Sequence, residues 1–158
     1  MTGGAGPTRG EQNTPGRVLA LDVGTRRLGV AVSDPTGTLA SPLVTLQRGT
    51  VEADAAALAR LATEHEATLI VAGLPVALNG REELAARTVR DYLAALTPHL
   101  PPHVTFELSD ERMTTVVAQR SLAAAGMPGR RRKDVVDQLA ASVILQGWLD
   151  RRRGEPGG

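Results

Sequence analysis

Arg17-Val18-Leu19-Ala20-Leu21-Asp22-Val23-Gly24-Thr25-Arg26-Arg27-Leu28-Gly29-Val30-Ala31-Val32-Ser33 is the stretch that decides how this chain is read. Val18 to Leu21 form an unbroken apolar run, as a strand buried on both faces requires. Val23 to Arg27 interrupt it around Gly24, and Leu28 to Ser33 resume it. Two such runs joined by a short Gly-containing loop predict a hairpin. At the end of the first run stands Asp22, where a carboxylate against backbone is costly unless it is used.

Working outward, a third strand is expected around Leu39–Leu46, and Pro42 within it argues for a sheet edge. The period then changes. Leu58, Leu61 and Ala62 on one side of residues 51–65, with Glu52, Asp54, Arg60 and Glu64 elsewhere, predict a helix. Thr68–Leu74 is a buried strand closed by Pro75 and a loop through Asn79-Gly80. Glu82–Leu96 is a second amphipathic helix, stopped by Pro98, Pro101 and Pro102. Val104–Leu108 is a fifth strand. Thr114 is a candidate N-cap for a helix running to Gly126, and Asp134 for a last helix ending near Leu149. The order β-β-β-α-β-α-β-α-α predicts an α/β protein, a mixed five-stranded sheet flanked by helices.

The 158 residues suit one domain, and 42% hydrophobic residues can bury a core. With only Tyr92, Phe106 and Trp148 as aromatics, that core is built of Ala, Val, Leu and Ile. Residues 1–16 hold five Gly and two Pro and are expected to be disordered, as is a basic, Gly-rich tail from 151 to 158, leaving 17–150 as the folded domain. Absence of Cys excludes disulfides, thiolate zinc sites and cysteine nucleophiles. No run reaches the length of a membrane span and no hydrophobic signal follows Met1, so a cytoplasmic protein is expected.

The formal charge is only +1, which sets no global bias toward nucleic acid. Its placement says more, because seven of the 18 cations lie in Arg130-Arg131-Arg132-Lys133 and Arg151-Arg152-Arg153. Each Arg offers a planar fork of donors that matches phosphate oxygens, although either run could equally be a solvated loop or tail. Three aromatics are too few for base stacking, so nucleic acid would be met through phosphates and shape.

Three acidic positions can carry chemistry. Asp22 ends the first strand, Asp110 and Glu111 follow the fifth, and Asp137 lies beside the apolar stripe of the last helix. Where the strands are neighbours, two strand ends bring Asp22 and Glu111 together, and Ala140 and Ala141 let the last helix approach closely enough to lay Asp137 over them. Such a trio, with no His or Cys nearby, selects Mg²⁺ or Mn²⁺. Two such ions about 4 Å apart clamp the attacking and leaving oxygens of a phosphodiester displacement. Taken singly, each acid has an ordinary reading as turn former, helix-start charge or surface acid. His65, His99 and His103 read as solvated.

Leu21-Asp22-Val23-Gly24-Thr25-Arg26-Arg27-Leu28-Gly29-Val30-Ala31-Val32-Ser33-Asp34, Val71-Ala72-Gly73-Leu74-Pro75, Asp110-Glu111-Arg112-Met113-Thr114-Thr115 and Asp137-Gln138-Leu139-Ala140-Ala141-Ser142-Val143-Ile144-Leu145-Gln146 resemble, in order, the four signature blocks of the YqgF/RuvX family. The likeness covers about residues 17–150. It implies a ribonuclease-H-like fold related to the RuvC junction resolvase. It also implies a metal-dependent nuclease that trims the 5′ end of pre-16S ribosomal RNA or, alternatively, resolves four-way DNA junctions, the latter as a homodimer. Carried over, the catalytic and metal-binding triad is Asp22, Glu111 and Asp137; by position alone, Asp134, one helical turn before Asp137, and Asp110 are further candidate ligands. Arg26, Arg27, Arg112, Arg130, Arg131, Arg132 and Lys133 are the expected nucleic-acid contacts, with 130–133 as a loop that closes on substrate. Val76-Ala77-Leu78-Asn79-Gly80 departs from the family's usual Leu-Asn-Met-Asp-Gly.

Two other functions compete. An actin-like ATPase shares the Asp-x-Gly-Thr of Asp22–Thr25, but needs a second domain that 158 residues do not supply. A non-catalytic nucleic-acid-binding factor could keep the fold, yet a buried acidic trio without metal is destabilising.

Overall fold

The computed structural model describes residues 16–74, 80–110 and 129–154. Strands β1 (Val18–Val23), β2 (Arg27–Ser33) and β3 (Ala40–Gln47) are followed by helix α1 (Val51–Glu64), strand β4 (Leu69–Leu74), helix α2 (Gly80–Leu96) and a 3-10 turn at Thr97–His99. Strand β5 (Thr105–Asp110) and helix α3 (Gly129–Gly154) complete the described elements. The sheet order is β3-β2-β1-β4-β5. β1 pairs antiparallel with β2, and β2 with β3, whereas β4 runs parallel to β1 and to β5. This is the mixed five-stranded sheet read from the sequence, in a ribonuclease-H-like arrangement. Pro42 sits on edge strand β3 opposite Ala31, beside the register shift at Val30/Ala31, where a missing N–H is tolerated.

Alternation along the strands sends neighbouring residues to opposite faces. Leu19, Leu21, Leu28, Val30 and Ile70 pack with Leu58 of α1 and with Val89, Leu93 and Leu96 of α2. Val18, Ala20, Ala31 and Val71 pack with Ala140, Ala141, Ile144, Leu145 and Trp148 of α3. Below the sheet, α1 is capped by Thr50, whose hydroxyl accepts from Ala53 N at 3.0 Å, and Asp54 Oδ1 accepts from Gly49 N at 2.8 Å. Tyr92 donates its hydroxyl to Asp54 Oδ2 at 2.6 Å, tying α2 to that cap. Burial, and then the Asp54 carboxylate, push the Tyr92 phenol well above its ordinary value. In the β2–β3 turn, Asp34 accepts from the Thr36 hydroxyl and from the Leu39 and Thr38 amides, which hold its carboxyl down to about 2.

α3 departs from expectation at both ends. It begins at Gly129, so Asp134 is not its N-cap but lies in its second turn, and Arg130 to Lys133 are helical rather than a closing loop. Arg and Lys are good helix formers, and no Gly or Pro separates Gly129 from the apolar stripe, so nothing halts the helix at Asp134. It ends at Gly154 rather than near Leu149, so Arg151 to Arg153 are helical rather than part of a disordered tail. Cations in the last turn meet the negative end of the helix dipole, and Gly154 followed by Pro156 marks the stop. Residues 1–15 and 155–158, the 75–79 loop and the helix expected from Thr114 to Gly126 lie outside the described residues.

Candidate active site

Asp22 is the register partner of Gly29 across the β1–β2 ladder. Because Val18 and Ala20 face α3, Asp22 two residues on faces it too, and so does the position of Gly29, two before Ala31. The backbone of α3 rests there. A Cβ on Gly29 would fall 2.0 Å from the carbonyl oxygen of Asp137 and 3.0 Å from its Cβ. Only glycine permits that approach, and Ala140 and Ala141, both fully buried, continue it one turn further. The strand register and a glycine thereby bring Asp137 above the end of β1 that carries Asp22. Asp22 is buried at 8% exposure.

The Asp137 carboxylate is fixed from the β2 side. Arg27 Nε donates to Asp137 Oδ2 at 2.7 Å, with the two side chains 27% and 18% exposed. Such a charge-assisted bond at partial burial holds one carboxylate oxygen in place while the other points elsewhere. Arg27, expected as a substrate contact, is therefore turned inward onto Asp137. Its neighbour Arg26 is exposed at the turn.

That turn is itself held. Gly24 N donates to Arg27 O at 2.9 Å, and a Cβ on Gly24 would sit 2.8 Å from the same oxygen. Arg48 Nη1 donates to Gly24 O at 2.6 Å and Arg48 N to Arg26 O at 2.9 Å. The Arg48 guanidinium also lies 3.9 Å from the centroid of the Tyr92 ring, a cation–π contact. A chain of contacts thus runs from the Asp54 cap through Tyr92 and Arg48 to the turn that presents Arg26 and Arg27.

Sequence reading missed two of these features. Arg48 gave no signal, being one Arg after an edge strand. Gly29 gave one that went unused, since a glycine inside an apolar strand marks a close backbone approach. Of the other expected residues, Asp110 closes β5, and Asp134 lies one turn before Asp137 on α3. Arg130, Arg131, Arg132 and Lys133 follow Gly129 at the start of α3. Glu111 and Arg112 lie outside the described residues. Among the described residues, no group of three or more His, Cys, Asp or Glu stands ready to hold a metal ion. No described helix is long and apolar enough to cross a membrane.

The sheet order, with helices packed on both faces, is that of a ribonuclease-H-like domain. A solved structure of T. thermophilus RuvC in complex with a Holliday junction substrate shares that fold, with a TM-score of 0.56 at 16% identity over 88% of this chain and 96% of that one. The family model for RuvX, described as Holliday junction resolvase, matches residues 16–151. Two relatives carry the name "Putative pre-16S rRNA nuclease". One from Myxococcus xanthus is 47% identical over 137 residues, 87% of this chain and 89% of that protein. One from Nocardia farcinica is 45% identical over 143 residues, 87% of this chain and 79% of that protein. The chain belongs to the RuvX family, and family and fold together make it a nuclease, a hydrolase of phosphodiester bonds.

Proposed function

We propose that this nuclease cuts structured nucleic acid at a divalent-cation site formed by Asp22, Asp137 and Glu111, and that its substrate is the 5′ region of the 16S rRNA precursor. The observation that carries the reading is the seating of α3 on Gly29, which stacks Asp137 over the strand end bearing Asp22. The donor set suits Mg²⁺ or Mn²⁺: carboxylates only, one at a strand end and one on the helix seated beside it. When bound, the cation supplies charge to activate water and to stabilise the departing oxygen. Every other task belongs to the chain. Arg27 keeps Asp137 Oδ2 engaged and so orients the carboxylate. Asp134 and Asp110 are within a turn or a residue of the triad and supplement its negative charge.

Arg26, Arg112, Arg130, Arg131, Arg132 and Lys133 hold backbone phosphates. Cations in the first turns of a helix oppose its dipole, so four of them at the start of α3 are best accounted for by an anion bound there. The rRNA reading follows the names of the relatives, and a cytoplasmic location is proposed with it. Junction resolution is the second reading, favoured by the family's description, and requires a two-fold dimer.

End-labelled 16S precursor leader and a four-way DNA junction, each incubated with the protein and Mn²⁺, test both. Asp22→Asn, which keeps shape and removes charge, is the control. Cleavage of the leader lost in the variant is the expected result. Symmetric cutting of the junction alone transfers the assignment to the second reading. No cutting of either above the variant's background leaves a binding factor and sinks the enzyme.

A further inference from the structure

The run Arg151-Arg152-Arg153 has no place in the site just described, yet two of its side chains are held in defined positions. Arg151 Nη2 donates to Ser109 Oγ at 2.8 Å, joining the end of α3 to β5 across the sheet. The Arg152 guanidinium lies 4.9 Å from the centroid of the Trp148 ring, and Trp148 Nε1 donates to Glu107 Oε2. Both arginines are exposed.

Strand register says where this cation sits relative to Asp22. Leu21 pairs with Ala72, and Ala72 with Leu108. One residue further along, Asp22, Gly73 and Ser109 stand at the same level, and Gly73 does pair with Ser109. Ser109 and Glu107 face α3, as their bonds to Arg151 and Trp148 require. Two strand spacings, about 10 Å, therefore separate Asp22 from Ser109 along one row. Arg27 of β2, bonded to Asp137 of α3, lies on the β2 side of this row, and Arg151 reaches the row from the β5 side, one residue from Asp110.

We propose that Arg151, with Arg152 beside it, is a backbone-phosphate contact for the nucleic acid that enters the Asp22 site, a few nucleotides from the scissile bond. The inference rests on the nuclease reading. A guanidinium held by a serine hydroxyl gives up less side-chain freedom on meeting a phosphate than a free one would, and presents its remaining donors as a fork. The competing role for Arg151 is structural, a cation at the negative end of the α3 dipole, which would show in stability and not in binding.

The full-length Asp22→Asn protein, expected to bind without cutting, is titrated by fluorescence anisotropy against labelled precursor leader and four-way junction at several salt concentrations, and Arg151→Ala is added to it. The expected result is affinity lowered about threefold to tenfold and a salt slope shallower by about 1, with melting temperature retained. Arg151→Lys restores most of the slope, and Ser109→Ala, which keeps the cation, leaves it unchanged. An unchanged affinity and slope in Arg151→Ala overturns the proposal, as does a lowered melting temperature with the slope intact. Failure of the Asp22→Asn parent to bind either nucleic acid also overturns it. Cleavage by the wild-type protein in parallel then decides separately whether the nuclease reading falls.

Discussion

The two faces of the sheet are built from alternate residues of the same strands, and they are built differently. Toward α1 and α2 the strands present Leu19, Leu21, Leu28, Val30 and Ile70, large aliphatics in a continuous apolar layer. Toward α3 they present Val18, Ala20, Ala31 and Val71, smaller residues, with the acids Asp22 and Glu107 and the glycine Gly29 among them. Burial of large side chains contributes most of the stability per residue, so the strands give more of it on the α1/α2 side, while on the other side α3 supplies the large residues Ile144, Leu145 and Trp148. Small residues on the other face let the backbone of α3 come down onto β2, which sets Asp137 over Gly29, the register partner of Asp22. One sheet thus divides its labour by the parity of its residues.

Substitutions can break or sharpen that division. The largest effect is expected from Asp22→Asn, which should lower Mn²⁺-dependent cleavage about a thousandfold while leaving the melting temperature within a few degrees. Retained cleavage would remove the acid from the site. On the opposite face, Leu58→Ala should destabilise by about 2–5 kcal/mol in denaturant titration, with the turnover of the remaining folded molecules unchanged. A turnover defect at full folding would show that the faces are not separable.

Gly29→Ala should do both, costing about 1–3 kcal/mol and lowering cleavage, because its methyl meets backbone and α3 must lift. Arg27→Gln frees the Asp137 carboxylate and should lower cleavage about tenfold to a hundredfold, the size expected when a ligand loses its orienting partner. The smallest effect concerns Tyr92, the sole tyrosine, whose phenolate absorbance reads one group. Its phenol is raised by burial and by Asp54. The stability it contributes is therefore complete below the ordinary phenol value of about 10 and is lost as pH rises above it. Alkaline titration should show no phenolate at pH 10 until unfolding begins, and Asp54→Asn should lower the onset.

Much of this was legible in the sequence. The period change after β3, Pro42 and the unbroken apolar runs specify the strands, their order of appearance and the edge. Asp22 announces itself as an acid ending a buried strand. The ends of α3 were not legible, because a polar Arg-rich helix and a polar Arg-rich loop have the same composition, and only packing beside the sheet distinguishes them. Arg27 could be placed near the site but not aimed. Whether a guanidinium faces solvent or a carboxylate 110 residues away depends on a helix position that no local pattern encodes. Gly29 was visible as a glycine, yet its meaning required knowing which helix crosses it.

The proposed function makes Asp22 and Asp137, one paired with Gly29 and the other seated over it, ligands of one cation. Titration of Mn²⁺ into the full-length protein, followed by the loss of the free-ion electron paramagnetic resonance signal, tests it without any nucleic acid. Saturable binding by the wild type, weakened at least about tenfold by Asp22→Asn and likewise by Asp137→Asn, is the expected result. Wild-type affinity in either variant would contradict it.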